Sequence, residues 1–388
     1  MISLLASKFI KDHKNYKDRE VRHAYGVMCG LVGVVLNLIL FAVKLFAGFV
    51  SGSVAVTADA INNLSDAGSS VITMIGFKMA GKKPNPEHPF GHGRIEYVTG
   101  LVVSFIIILM GFELLESSFD KIIHPEELTY SLPAIVILIA SVAVKLYMYA
   151  YNKKTAEKIS SAAMNATAMD SFTDSIATSV VLLSMMIGYF TGLKIDGWCG
   201  LLVSAFVLYA GITSAKDTID PLLGTKPDEE YVKAIEEFAV SNEGILGIHD
   251  LVVHDYGPGR VMISFHAEVP ADGDILELHD TIDNIEHRLN TVLGCQSVIH
   301  MDPIVVNDEV TDRMKRLCYL IAKSVDESLT IHDFRMVKGP THTNLIFDTV
   351  VPYDCKLSPE EVHDEMIKKI GELPGNHFGV VTIDRPFV

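Results

Sequence analysis

The chain has 388 residues, of which 49% are hydrophobic and 21% are charged, and its formal net charge at pH 7 is -16. The apolar residues are concentrated in the first 220 positions, whereas the acidic residues lie mostly after residue 226. This distribution predicts a membrane protein with an acidic soluble tail. Because an acidic surface repels phosphate groups, the composition argues against nucleic acid as a partner and favours cations.

Long apolar runs follow one another through the first part of the chain. Each is long enough, at about 1.5 Å per residue, to cross a hydrocarbon core of about 30 Å as a helix. We predict a domain of six transmembrane helices within residues 1–225, with spans over 27–50, 53–80, 97–119, 131–150, 162–191 and 197–215.

Lysine and arginine predict the orientation of these spans in the cell (inner) membrane. They are frequent before the first span, between the second and third, and between the fourth and fifth, whereas the opposite loops carry only Lys121 and Lys194. Both termini are therefore expected to be cytoplasmic. The first 25 residues are rich in charge, so we expect no cleaved signal peptide. The five cysteines lack CxxC spacing and are expected to be reduced thiols.

The soluble tail is expected to begin at about residue 226, after the proline and glycine of "DPLLGTKP". Residues 226–306 predict an αββαβ order, with elements at 228–241, 248–257, 260–270, 274–293 and 297–303. Residues 307–388 echo this pattern after their own predicted helix at 309–325. The tail is thus predicted to hold two tandem α+β modules of ferredoxin-like, metallochaperone-like type.

Two of the predicted spans carry polar pairs. Asn62 and Asp66 are four residues apart in "ADAINNLSD", and Asp170 and Asp174 are four apart in "MDSFTD", so each pair lies on one helical face. Counting from the helix ends puts both pairs near mid-bilayer. Ionised carboxylates cost several kcal/mol there, and three that converge also repel one another. A shared cation or shared protons would resolve this conflict; hydrogen bonds from each Asp to neighbouring Ser or Thr are the structural alternative.

These two stretches and the loop "HPFGHGRIEY" together resemble the cation diffusion facilitator family from about residue 20 to 305. Members of that family are dimeric exporters of divalent metals, with six helices and a cytoplasmic metallochaperone-like domain. The resemblance implies proton-coupled export by alternating access, a homodimer, and a transport site at Asn62, Asp66, Asp170 and Asp174. The second tail module is a departure from most of the family.

Every side chain in the implied transport site offers oxygen, whereas zinc-type relatives place an imidazole at one of the four positions. Hard oxygen donors suit Mn²⁺, Mg²⁺ or Ca²⁺, and an Asn with three Asp is similar to the manganese branch of the family. We therefore expect Mn²⁺ as the substrate. Zn²⁺ and Fe²⁺ remain alternatives because affinity rises along the divalent series toward zinc. Without an imidazole, the aspartates themselves would carry the exchanged protons.

The resemblance also implies contacts at the cytoplasmic side of the spans. His88 and His92 match a second metal site in the loop, although Asn85 stands where zinc-type relatives have Asp. Arg94 and Asp220 match an inter-helix ion pair. From the residues alone, Lys44 and Lys145 lie within a turn or two of predicted span ends, where snorkelling would suffice to explain them. Asp59, one turn before Asn62, is a weaker candidate for the site, and the favoured alternative is that it is satisfied near the outer mouth.

In the tail, five positions match residues that bind regulatory zinc in relatives: His249, His266, His279, His300 and Asp302. The second module retains only some of the imidazoles, because Asp348 and Thr382 stand where His266 and His300 stand in the first. That module is therefore expected to extend the dimer interface or the sensing surface and not to duplicate the site.

Two other classes of protein fit the sequence less well. An intramembrane enzyme would need a catalytic centre, and the chain lacks HExxH and the GxGD context of membrane aspartyl proteases. A non-transporting metal-sensing scaffold is harder to separate. Intact polar pairs at mid-bilayer argue against it, because a protein that does not transport would be expected to lose so costly an arrangement.

Overall fold

The computed structural model describes residues 2–16, 18–51, 54–124, 132–191, 195–306 and 308–386. The chain divides into two units, and the first consists of long helices. The first unit covers residues 1–225 together with 255–260, and the second covers 226–254 and 261–388. The helices of the first unit are α1 (Ile2–Phe9), α2 (Arg19–Ser51), α3 (Val54–Ala80), α4 (Ile95–Ile123), α5 (Leu132–Ile159), α6 (Ala162–Thr191) and α7 (Asp196–Leu223).

Helices α2 to α7 occupy the positions of the six predicted spans. Within the described residues, four stretches combine the required length and hydropathy: Arg19–Ala47, Ile95–Ile123, Ile135–Ile159 and Gly197–Leu223. Helices α3 and α6 are 27 and 30 residues long and carry the polar pairs, which lower their hydropathy. The count of six spans therefore stays a prediction. Helix α1 was not predicted, because its eight residues are too few for a reliable apolar period.

Close approach between helices depends on small residues. A Cβ atom built at Gly100 of α4 would lie 3.0 Å from the Cα of Ala163 in α6, so no larger residue fits there without a shift of backbone. A hydroxyl pair, Thr73 on α3 and Thr167 on α6, adds a contact of 3.0 Å between the helices that carry the predicted ligands. Polar contacts of this kind hold helices together where burial of apolar surface gives no net drive.

The second unit has two three-stranded sheets with strand orders β1-β2-β3 and β4-β5-β6. In each, the central strand pairs in parallel with the strand that follows the second helix, as a β-α-β crossover requires. The first set of elements is α8 (Glu229–Val240), β1 (Gly247–Asp255), β2 (Val261–Pro270), α9 (Ile275–Leu293) and β3 (Cys295–Ile304). The second is α10 (Glu309–Val325), β4 (Thr330–Lys338), β5 (Thr343–Val350), α11 (Pro359–Gly371) and β6 (His377–Asp384).

Both sets show the predicted αββαβ order, and helix caps explain why their helices begin where they do. The side chain of Asp274 accepts hydrogen bonds from the backbone of the first turn of α9, and Ser358 forms a capping box with Glu361 at the start of α11. Apolar residues of each sheet pack on the helices of the same set, with Phe265 against the first pair of helices and Phe347 against the second. Each module thus has its own hydrophobic core.

Candidate functional site

The structure brings together three of the predicted transport ligands. Asp66 on α3 and Asp170 and Asp174 on α6 place one carboxylate oxygen each within 4.8 Å of the others. Asp66 and Asp170 are buried, and Asp174 is largely so. Because each pair is spaced by one helical turn, a single contact between the two helices suffices to gather all three side chains. This geometry agrees with the convergence that the family resemblance implies.

Lys145 on α5 lies among these carboxylates, and this position was wrongly predicted. Its Nζ is 2.6 Å from Oδ2 of Asp66 and 2.6 Å from Oδ2 of Asp174, and its side chain is 5% exposed. The predicted span ended at residue 150, which put Lys145 near an interface. Helix α5 in fact continues to Ile159, so the ammonium lies roughly 20 Å from that end and cannot snorkel to it.

The ion pairs do not satisfy the carboxylates completely. The other oxygen of Asp66, Oδ1, is buried and has no hydrogen-bond partner among the described residues. A buried acceptor without a donor is costly, and a cation at this point would relieve the cost. Hydrogen bonds from neighbouring Ser or Thr to the carboxylates, the structural alternative, are therefore not what occupies this oxygen.

The remaining residues of α3 take separate positions. Asn62 lies one turn before Asp66 and is exposed, so its part in the site stays a prediction. Asp59 forms an ion pair with Lys44 of α2 at 2.8 Å, which agrees with the expectation that Asp59 is satisfied by a neighbour. The lysine itself is 2% exposed and does not snorkel, which corrects the second lysine prediction. Its ammonium is held by a carboxylate inside the helix bundle.

In the loop between α3 and α4, His88 and His92 lie beside each other with ring centroids 4.6 Å apart. Asn85 orders the turn, since its Oδ1 accepts a hydrogen bond of 2.7 Å from the backbone N–H of His88. A buried Nδ1 of His92 has no partner among the described residues. The arrangement permits a two-imidazole contact with a metal, but the loop site remains a prediction.

The predicted ion pair between Arg94 and Asp220 is not formed. The guanidinium of Arg94 instead donates two hydrogen bonds, of 3.1 and 2.8 Å, to the backbone carbonyl of Asp255 and lies 4.6 Å from the ring of Tyr256. Residues 255–260 belong to the first unit, and the spacing of Arg94 and Asp220 along the chain could not have indicated this partner. The planar guanidinium of Arg94 therefore binds the backbone at Asp255 with two of its donors.

The predicted tail site is partly assembled. His249, His266 and Asp302 each bring a ligand atom within 4.8 Å of the others, and Nε2 of His300 lies 3.2 Å from Oδ1 of Asp302. Burial alone would lower the pKa of His249, but the carboxylates of Glu268, Asp250 and Asp302 outweigh it and hold that pKa above its ordinary value.

His279 is not part of this cluster of described ligand atoms. It lies exposed on α9, where it pairs with Asp283 one turn away. The residue type matched the family pattern, but the helical position leaves the side chain in contact with its own helix. Its proposed metal role therefore has no support from the geometry within this chain.

The second module also brings ligand-type side chains together. Asp250, His332, Asp348 and Asp384 form another group whose ligand atoms lie within 4.8 Å of one another. Burial, and then the charges of Asp348 and Asp250, raise the pKa of Asp384, while His332 opposes the change. The prediction that this module extends the dimer interface or the sensing surface and does not duplicate the site stays a prediction. Carboxylates can replace imidazoles as ligands, so the loss of imidazoles does not by itself remove the ligand positions.

Comparison with known proteins places the chain in one family. The model of the cation efflux transmembrane domain matches residues 30–223, and the model of the cation efflux protein cytoplasmic domain matches residues 227–304. The matched ranges end before the second tail module.

Similar proteins cover the same part of the chain. The manganese efflux system protein MneS of Bacillus subtilis is 31% identical over 278 residues, which is 71% of this chain and 94% of that protein. An uncharacterised transporter of Methanocaldococcus jannaschii is 27% identical over 273 residues, 70% of this chain and 96% of that protein. The cation-efflux pump FieF of Cronobacter sakazakii is 24% identical over 290 residues, 74% and 96% respectively.

The matched domains, the apolar helices and the buried acidic cluster agree with one another. The chain belongs to the cation efflux family, the cation diffusion facilitators, and is a membrane-embedded secondary transporter of divalent cations and not an enzyme.

Proposed function

We propose that this protein exports Mn²⁺ in exchange for protons by alternating access. The observation that carries the proposal is the cluster of three carboxylates contributed by α3 and α6, each with an oxygen within 4.8 Å of the others. Carboxylate oxygens are hard donors and suit Mn²⁺ better than they suit softer metals. The similarity to a manganese efflux protein over 71% of the chain supports the same choice. Zn²⁺ and Fe²⁺ are the competing substrates.

The charges of the site suggest how protons enter the cycle. Three carboxylates and the ammonium of Lys145 leave a net charge of minus two. One divalent cation neutralises that charge, and so do two protons. A site of low dielectric favours neutral states, so metal release to one side would be followed by proton uptake before the site returns. The aspartates are the groups that bind these protons.

Several features of the whole protein belong to the same proposal. Helices α3 and α6 would complete six spans, with the termini on the cytoplasmic face of the inner membrane, since lysine and arginine are frequent in the loops on that side. The domain matched over residues 227–304 supports a homodimer. The triad of His249, His266 and Asp302, with His300 next to it, offers imidazole nitrogen and carboxylate oxygen, a donor set that suits Zn²⁺ as a regulatory ion.

A transport assay tests the proposal directly. Inverted membrane vesicles that contain the protein should accumulate Mn²⁺ when their lumen is acidic, and collapse of the pH gradient should stop the accumulation. Vesicles without the protein are the control. Uptake that ignores the pH gradient would contradict proton exchange. Metal binding without any uptake would instead indicate the metal-sensing scaffold.

Replacement of Asn62 by histidine tests metal choice. Since imidazole favours Zn²⁺, the ratio of Zn²⁺ to Mn²⁺ transport should rise by about tenfold or more, which corresponds to about 1.4 kcal/mol. The measurement is competitive uptake of the two metals into the same vesicles. Asn62→Gln keeps an amide oxygen and is the matched control. An unchanged ratio in Asn62→His would show that Asn62 does not contact the transported ion.

A further inference from the structure

A group of ligand-type side chains, three of which lie outside the matched family domains, joins the two tail modules. His332, Asp348 and Asp384 come from β4, β5 and β6 of the second module, and Asp250 comes from β1 of the first. One ligand atom from each lies within 4.8 Å of the others. Four potential ligands from four strands thus converge at one point.

The strand registers show that this group is the counterpart of the first tail cluster. In the first module His266 lies opposite His300, and Glu268 lies opposite Asp302, across the parallel pair β2 and β3. In the second, Asp348 lies opposite Thr382, and Val350 lies opposite Asp384, across β5 and β6. Asp348 and Asp384 therefore hold the positions of His266 and Asp302. The carboxylate of Asp348 replaces an imidazole but keeps a metal ligand at that position.

Backbone geometry explains how Asp250 reaches the second module. Asp250 has a φ of 52°, and its counterpart Asp333 has a φ of 49°, a left-handed conformation that is uncommon for residues other than glycine. The register of β4 shifts between His332 and Arg335, as at a bulge, and such an irregularity lets consecutive residues of a strand be re-aimed. His249 contributes to the first cluster and Asp250 to the second, and both also lie within 4.8 Å of a ring nitrogen of His332, where the two clusters meet.

The two tail modules differ in the surroundings of Asp250 and Asp333, and the difference leaves the carboxylate of Asp250 available as a ligand. The carboxylate of Asp333 is neutralised by Arg335, whose Nη2 is 2.7 Å away. The position that corresponds to Arg335 in the first module is Val252, so Asp250 has no such partner. Its Oδ1 instead lies 3.4 Å from Nε2 of His332.

His332 provides the independent sign of a missing ligand. Both of its ring nitrogens are buried and have no hydrogen-bond partner among the described residues, and its side chain is 12% exposed. Nε2 lies 3.4 Å from Asp250 and 3.7 Å from Asp384. With metal–ligand bonds of about 2.0 to 2.2 Å, tetrahedral ligands are about 3.3 to 3.6 Å apart, so these distances suit atoms that surround an ion.

There is room for the ion and for entry to the site. A cavity of about 250 Å³ is lined by Asp250 and Asp384 of this group and by His266 and His300 of the first cluster. The ring of His332 lies 4.8 Å from that of His249, so the two clusters adjoin. The three carboxylates around His332 repel one another, and a positive charge among them would offset that repulsion.

We infer that Asp250, His332, Asp348 and Asp384 form a second tail site for a divalent transition-metal ion, which links the first module to the second. One nitrogen and three oxygen donors accept Mn²⁺ or Zn²⁺. The inference is independent of transport, since it concerns the tail alone. Metal binding there would couple the packing of the two modules to the metal concentration.

The test counts metal ions bound to the full-length protein. Purified protein is stripped with chelator, equilibrated with Mn²⁺ or, separately, with Zn²⁺, and analysed for metal per chain. Asp384→Asn and Asp348→Asn should each remove one equivalent relative to wild type, or weaken it at least 30-fold. His266→Asn should remove a different equivalent, so that its combination with Asp384→Asn loses two. Asp333→Asn, the matched position already paired with Arg335, should change neither the number nor the affinity.

A second measurement separates metal binding from a purely structural role. Removal of one of three clustered carboxylates relieves repulsion, so metal-free Asp384→Asn should unfold at the same temperature as wild type or higher. Its rise in unfolding temperature on addition of metal should be smaller. Equal metal content in wild type, Asp348→Asn and Asp384→Asn would overturn the inference, and so would loss of a single shared equivalent in the double variant.

Discussion

Replacement of Asp174 by asparagine is expected to abolish Mn²⁺ transport. The change keeps the shape of the side chain but removes one of three clustered carboxylates and one of the two ion pairs of Lys145. At about 4 Å and an effective dielectric constant of about 20, a carboxylate attracts even a unit positive charge by about 4 kcal/mol, and about 2.7 kcal/mol already corresponds to a 100-fold change in affinity. Uptake into inverted vesicles at a fixed low Mn²⁺ concentration should therefore fall by about 100-fold or more.

The control for this change is Asp217→Asn. Asp217 is an exposed acidic residue on α7, outside the described cluster, so its loss of charge should leave uptake within about twofold of wild type. Both variants must reach the membrane in equal amounts. If Asp174→Asn transported Mn²⁺ at the wild-type rate, the three carboxylates would not be the transport site, and the loop histidines would be the next residues to test.

The cluster of three carboxylates could be expected from sequence because helical periodicity decides which side chains share a face, and because the family resemblance implies a shared site between the two helices. A spacing of four residues in Asn62 and Asp66, and again in Asp170 and Asp174, is enough to pair them on their own helices. The cost of ionised groups in lipid then argues that the pairs meet. The structure agrees for the three carboxylates.

The contacts that could not be predicted depend on where a helix ends or how a strand bends. The position of Lys145 was wrongly predicted because the apolar run ends at residue 150, whereas helix α5 continues through a polar stretch to Ile159. The partner of Arg94 is a backbone carbonyl, which no pairing of charges along the chain reveals. The position of Asp250 depends on a left-handed residue within a strand, which side-chain alternation does not indicate.

Replacement of Lys145 by methionine is expected to tighten Mn²⁺ binding and to slow transport. The ammonium lies 2.6 Å from both Asp66 and Asp174, so an entering metal must displace it or share its carboxylates. Two unit charges about 4 Å apart interact by about 4 kcal/mol at an effective dielectric constant of about 20. Even a third of that, about 1.4 kcal/mol, would lower the dissociation constant of Mn²⁺ tenfold. Without the competing cation, metal release should become slower and turnover should fall.

The metal-free Lys145→Met protein should also unfold at a lower temperature than wild type, because its buried carboxylates lose their partner, and Mn²⁺ should restore more stability than it does in wild type. Lys44→Met is the matched control. It removes another buried lysine, one that pairs with Asp59 and does not contact the three carboxylates directly, so it should lower stability and change Mn²⁺ affinity much less than Lys145→Met does. Titration of Mn²⁺ into both purified variants distinguishes the two roles. Weaker Mn²⁺ binding in Lys145→Met would mean that Lys145 holds the carboxylates in their binding geometry, and that it does not compete with the metal for them.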